Sequence, residues 1–305
     1  MGTARWDPAD WATYAKSTAG RSTAGIFTKA TLDPSLDPKL CKLRESRDSA
    51  LNPASNAIIV GLDVTGSMGM IADALARRGL GVLVEELLAR KPVTDPHIMA
   101  MGIGDAWCDR VPLQVTQFEA DIRIARQLEQ IYLEHGGGGN NFESYNLPWY
   151  FAATRTSTDC FEKRGKKGYL FTVGDELPPP ALLATHAQRV LGEGPQTDIA
   201  TRDLLAMVER TYHVFHIVVE EGNYARGHLP DVMAQWTDLL GQRVLRLQDH
   251  TKLAEVVVSA IQVNEGIDPD KVAGSWSGTT AMVVRRAVGS LTVRPNRGAG
   301  GVVRL

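Results

Sequence analysis

The stretch Ala57-Ile58-Ile59-Val60-Gly61-Leu62-Asp63-Val64-Thr65-Gly66-Ser67 decides the fold. Its first half is an uninterrupted apolar run rich in β-branched residues, and it stops at a polar turn that contains Gly66. That is the signature of a strand buried on both faces. Residues 69–90 follow with apolar positions at helical spacing, and Pro92 stands just beyond their end. A strand, a tight turn and a helix in this order form the opening unit of a doubly wound sheet.

The same alternation continues along the chain. Residues 97–102, 112–118, 168–173, 212–219 and 243–247 read as further strands, and 121–134, 143–154, 198–210, 230–240 and 252–263 read as helices. Strands that are apolar on both faces and alternate with helices pack as a mainly parallel sheet covered on both sides. The expectation is an α/β domain over residues 57–265 with a doubly wound, Rossmann-like, mainly parallel central sheet, one antiparallel edge strand and helices on both faces. In such sheets ligands bind outside the carboxyl ends of the strands, so the loops after Leu62, Gly102, Val173 and Val219 share one edge. Residues 1–56, rich in Ala, Ser, Thr, Asp and Pro, read as an extended arm that Trp6, Trp11, Tyr14 and Phe27 pin to the core. Residues 266–305 read as a basic tail in which no acid separates Arg285, Arg286, Arg294, Arg297 and Arg304.

The chain has 305 residues, 44% of them hydrophobic, which is enough for a large core. A net charge of −2 conceals an acidic middle between two basic ends. That distribution argues against a nucleic-acid groove, because phosphate binding needs clustered Lys and Arg. Cys41, Cys108 and Cys160 lie far apart with no CxxC pair and read as reduced thiols. No apolar run reaches the roughly 18 residues of a membrane span, and the first residues lack the apolar stretch of a signal peptide. The expected location is the cytoplasm, with neither a membrane nor a nucleic acid as partner.

The loop Asp63-Val64-Thr65-Gly66-Ser67 sets one carboxylate and two hydroxyls at alternate positions of a tight turn, so that three oxygens can converge. Hard oxygen donors of this kind suit Mg²⁺, with Mn²⁺ or Ca²⁺ as substitutes. The positive end of the following helix opposes a cation, and further carboxylates must outweigh it. Asp175, after the strand at 168–173, and Asp105, after the strand at 97–102, are placed to do so.

These residues resemble the metal-ion-dependent adhesion site of von Willebrand factor A domains. Ile58 to Met68, IIVGLDVTGSM, is similar to the Asp-x-Ser-x-Ser pattern of that site, with Thr65 in place of the first Ser. The resemblance spans residues 57–265 and implies Asp63, Thr65 and Ser67 as metal ligands, a Thr from a second loop, and Asp175 from a third. The second loop, at 136–141, contains no Thr, so Asn140 takes that position or the ligand is missing. Asp105, Asn141 and Glu143 would stand behind the ligands, and Glu176 adds a charge where the family usually has Gly. The function implied is that of an adaptor rather than an enzyme. The metal, incompletely neutralised, takes an Asp or Glu side chain from a partner protein, and bacterial cytoplasmic members work with MoxR-type AAA+ ATPases.

Two rival readings begin at the same residues. A Mg²⁺-dependent phosphohydrolase of the haloacid dehalogenase type also starts from a strand-end Asp, but it needs a second Asp as general acid where Thr65 stands. A structural protein with a vestigial metal site is the other. The four glycines at 136–139 lack the Gly-Lys-Ser/Thr of a phosphate loop. His213 and His216 point to opposite faces of one strand and read as core histidines. His135 borders the predicted metal edge, Trp107 and Trp149 are candidates for an apolar rim around it, and Glu45 or Asp48 for an internal cap over it.

Overall fold

A computed structural model of the chain describes residues 5–134 and 140–292, apart from the side chain of Ser67. The central sheet is built from β1 Asn56–Asp63, β2 Pro96–Ile103, β3 Leu113–Val115, β4 Gly168–Gly174, β5 Tyr212–Val219 and β6 Val244–Leu247. Its order is β6-β5-β4-β1-β2-β3. Every pairing is parallel except that of β2 with β3 at the edge. The expected architecture is the observed one.

All residues of β1 are buried, because helices cover both faces of the sheet. Side chains alternate along a strand. Ile58, Val60 and Leu62 enter a core shared with the helices Leu80–Arg90, Leu253–Asn264 and Gly278–Val288. Ala57 and Ile59 enter a second core with Trp149, Phe151 and Trp236, from the helices Asn146–Arg155 and Asn223–Leu240. Asp63 continues the parity of Ala57 and Ile59, which turns its carboxyl toward the second core. From β1 the chain winds outward through β2 and β3, then returns to build β4, β5 and β6 on the other side. The reversal of order falls between β1 and β4, and there the loops leave a crevice.

Several boundaries differ from the sequence reading. The helix expected at 69–90 is continuous but contains a π-turn over Leu75–Gly79. The one expected at 121–134 forms only over Arg123–Leu128, since Glu134 is drawn into an extended bridge with Thr65. The helix expected from Pro230 is preceded by a short helical segment from Asn223, and the two meet at a kink where His228 has a non-helical backbone; Oδ2 of Asp175 accepts from the amides of Tyr224 and Ala225 and so caps that first segment.

The arm at 1–56 is not extended throughout. Asp7 caps a helix over Pro8–Thr18, its Oδ1 accepting from the amide of Ala9 at 2.8 Å, and Pro8 fits the first helical position. Trp6, Trp11, Tyr14 and Phe27 are buried as expected, and the indole of Trp6 donates to the carbonyl of Pro96 at 3.0 Å. The tail at 266–305 is likewise corrected. Asp268 caps a helix over Pro269–Gly274, and a second helix spans Gly278–Val288. Val272, Val284 and Val288 are buried, so apolar spacing outweighs the basic composition. Arg286 pairs with Glu220 at 3.6 Å, whereas Arg294, Arg297 and Arg304 lie outside the described residues. Among the described residues, no helix is long and apolar enough to cross a membrane.

Candidate metal centre

The turn after β1 brings Asp63 and Thr65 together. Oδ1 of Asp63 accepts from the amide of Thr65 at 2.9 Å and from its hydroxyl at 2.8 Å. The same hydroxyl lies 3.0 Å from Oε1 of Glu143, which arrives from the segment between β3 and β4. Neighbouring ligands of an octahedral Mg²⁺ stand ~2.9 Å apart when each is ~2.1 Å from the ion. The two spacings around the Thr65 hydroxyl are therefore those of adjacent ligands. They also pose a proton problem, because one hydroxyl has one hydrogen for two carboxyl oxygens. One of the two carboxyl groups holds a proton, or a cation stands where the oxygens meet.

The electrostatics point the same way. Asp63 is 1% exposed, and burial, with Asp175 and Glu176 nearby, raises its pKa well above the carboxylate range. Burial, then Asp63, Glu176 and Asp109, raises that of Glu143 as well. Glu176 is pushed up to about 7 by burial and by Asp175, Asp105 and Asp109. Burial also raises Asp175 and, with neighbouring acids, Asp109. Among the described residues, no Lys, Arg or His forms an ion pair with any of these acids.

Asp175 directly follows β4, the strand paired with β1, which itself ends at Asp63. Its Oδ2 caps the helix Asn223–Leu240, and a Cβ on Gly222 would fall 2.3 Å from it, so only glycine permits this approach. Asp105 anchors a second group. Its Oδ1 accepts from the amide of Trp107 and the hydroxyl of Ser144, and its Oδ2 from Nδ2 of Asn140 at 2.6 Å. Oδ1 of Asn140 in turn accepts from the amide of Phe142 at 3.0 Å. The Asn140 carboxamide is thus turned to Asp105 and Phe142, not to the Asp63 turn. Asn141 is exposed and contributes its backbone carbonyl, which accepts from the amide of Leu177. His135, Gly136, Gly137, Gly138 and Gly139 lie outside the described residues, as does the side chain of Ser67.

Three participants had no signal in the sequence. Tyr145 is fully buried and donates from its hydroxyl to Oδ2 of Asp63 at 3.2 Å. The amide of Glu176 donates to that same phenol oxygen at 3.4 Å, and a Cβ on Gly174 would come within 1.9 Å of it. Asp109 accepts from the amide of Asp105 at 2.6 Å. The carbonyl of Glu134 accepts from the amide of Gly66 at 3.1 Å, which holds the turn after Asp63 in place.

Trp107 is 67% exposed and borders a cleft of about 440 Å³ with Cys108, Phe142 and Leu183, beside Asn140. Trp149 is fully buried against Trp236 and forms no rim. Asp48 does not cap the site either: its carboxylate binds Arg164 and Ser55, at the opposite end of the strands, and Glu45 pairs with Arg47. His216 is buried, with Nδ1 at 2.9 Å from the Thr172 hydroxyl. Cys41, Cys108 and Cys160 are free thiols. Beyond β5 and β6, at the same edge, Glu221, Asp249 and His250 bring ligand atoms within 4.8 Å of one another, a second group able to hold an ion.

No protein-family model and no curated protein matches the chain. Similar solved structures include the pilus adhesin SpaC from Lactobacillus rhamnosus GG in its open conformation, at 9% identity and a TM-score of 0.45, covering 74% of this chain and 32% of that one. They also include a von Willebrand factor type A protein from Catenulispora acidiphila, at 13% identity and a TM-score of 0.38, covering 70% and 44%. The chain spans less than half the length of either. The sheet order, with its reversal between β1 and β4, is that of a doubly wound, Rossmann-like α/β domain.

Proposed function

We propose that the chain is a protein-interaction domain that holds a divalent cation, Mg²⁺ in the first instance, at Asp63, Thr65 and Asp175, and uses it to bind an Asp or Glu side chain of a partner protein. The observation that carries this reading is the cluster of buried acids between the ends of β1 and β4, with no cationic side chain among the described residues paired to it. Buried carboxylates need protons, a counter-charge or a metal. The oxygen spacing around Thr65 fits the metal. The donors are hard oxygens, which suit Mg²⁺, Mn²⁺ or Ca²⁺ and do not favour softer ions.

The arrangement supports a grip rather than a cleavage. Thr65, where a phosphohydrolase would place its general acid, carries a hydroxyl already engaged by Asp63 and Glu143. The cleft beside Trp107 offers apolar surface next to the site for the residues that flank a partner's acid. An ATPase of the MoxR type is the partner to test first. Affinity capture from a cell lysate with Mg²⁺ present should retain a protein that is lost on adding chelator and lost in Asp63→Ala. Capture indifferent to both changes overturns the reading.

A further inference from the structure

We propose that Glu143 binds the metal directly through its carboxylate, as the ligand contributed by the segment between β3 and β4. The inference rests on the metal-site reading above and names a residue within it.

Glu143 is 3% exposed, and its Oε2 is buried without a hydrogen-bond partner among the described residues. A buried carboxyl oxygen with nothing to accept from carries its full desolvation penalty. Nearby acids avoid this cost. Both oxygens of Asp105 are taken up by N–H, O–H and S–H donors, and Oδ2 of Asp175 is covered by two backbone amides. Glu143 has only the hydroxyl of Thr65 on its other oxygen, and that hydroxyl also lies against Oδ1 of Asp63. Its carboxyl therefore meets Thr65 through one oxygen and keeps the other unpartnered among the described residues.

The backbone prevents escape to solvent. The amide of Ser144 donates to the carbonyl of Gly104, and Phe142 bridges to Leu177, so the residues on both sides of Glu143 are tied to the loops after β2 and β4. The side chain is held inward by its neighbours, with its unpartnered oxygen buried beside Thr65. Bound this way, the ion carries three carboxylates, from Asp63, Glu143 and Asp175, and the hydroxyl of Thr65. Its affinity is set by that ligand charge.

The test uses the full-length protein and Mn²⁺ alone as the probe. Calorimetry gives the affinity, and water-proton relaxation gives the number of waters on the bound Mn²⁺. Glu143→Gln should lose affinity on the order of 100-fold, at the upper end of what is lost when groups behind the ligands are removed. Glu143→Ala should add a water to the bound ion. Wild-type affinity in Glu143→Gln, or an unchanged water count in Glu143→Ala, overturns the role of Glu143. If Asp63→Asn abolishes binding in that same series, the metal site itself stands. An absence of Mn²⁺ binding by the wild type overturns both. Thermal unfolding without metal provides the folding control, since the neutral amide of Glu143→Gln should leave the apo protein at least as stable as the wild type.

Discussion

The phenol of Tyr145 donates to Oδ2 of Asp63 at 3.2 Å, and the amide of Glu176 donates to that phenol oxygen in turn. One side chain thereby links the end of β1 to the end of β4 and fixes which oxygen of Asp63 faces the crevice. Tyr145→Phe should fold with a stability change of about 1 kcal/mol and bind Mn²⁺ roughly 10-fold more weakly. Calorimetry on the two proteins decides the matter, and equal affinities would remove Tyr145 from the site.

Gly222 faces Asp175 so closely that an added methyl group would stand 2.3 Å from its carboxyl. Gly222→Ala should cost about 1–3 kcal/mol by overpacking and should displace Asp175 from the amides of Tyr224 and Ala225, with loss of metal affinity. Gly227→Ala is the matched control, because nothing lies within 4 Å of its added Cβ. Urea denaturation of both should show a drop in the first only.

His97 is buried, its Nδ1 lies 3.0 Å from the Ser46 hydroxyl, and burial lowers its pKa to about 4. The unfolded chain takes up a proton on this residue below about pH 6.5, while the folded chain refuses it until about pH 4. Stability should therefore fall as pH drops through that window, by about 3 kcal/mol from His97, and this contribution should level off below it. Denaturation midpoints measured from pH 7 to pH 4 should decline less steeply in His97→Gln, and identical slopes would sink the assignment.

The indoles of Trp6 and Trp11 lie 6.0 Å apart, and Trp11 covers Gly81 of the first crossover helix. Trp11→Ala should destabilise the whole domain by about 3–5 kcal/mol. A change below about 1 kcal/mol would mean that the amino-terminal helix unfolds separately from the sheet.

The sheet was legible in the sequence because its strands are buried on both faces and announce themselves as apolar runs. The helix at Pro8–Thr18 was equally signalled by Asp7-Pro8, as was Pro269–Gly274 by Asp268-Pro269, yet polar composition masked both starts. Within the site, Asp63, Thr65 and Asp175 could be placed from their positions at strand ends. Tyr145 could not, because its hydrogen bond spans 82 positions and follows no local pattern. The short helical segment from Asn223 to the kink at His228 was hidden for the same reason, its cap coming from Asp175 just after β4.

Although β1 and β4 are hydrogen-bonded neighbours, β2, β3 and the whole segment that carries Glu143 and Tyr145 lie between them in the chain. A nascent chain that has not yet emerged through Asp175 holds the Asp63 turn with no opposite wall to work against. The acid cluster is therefore a property of the assembled sheet and of no local segment, and it cannot form while the chain still stops short of Asp175.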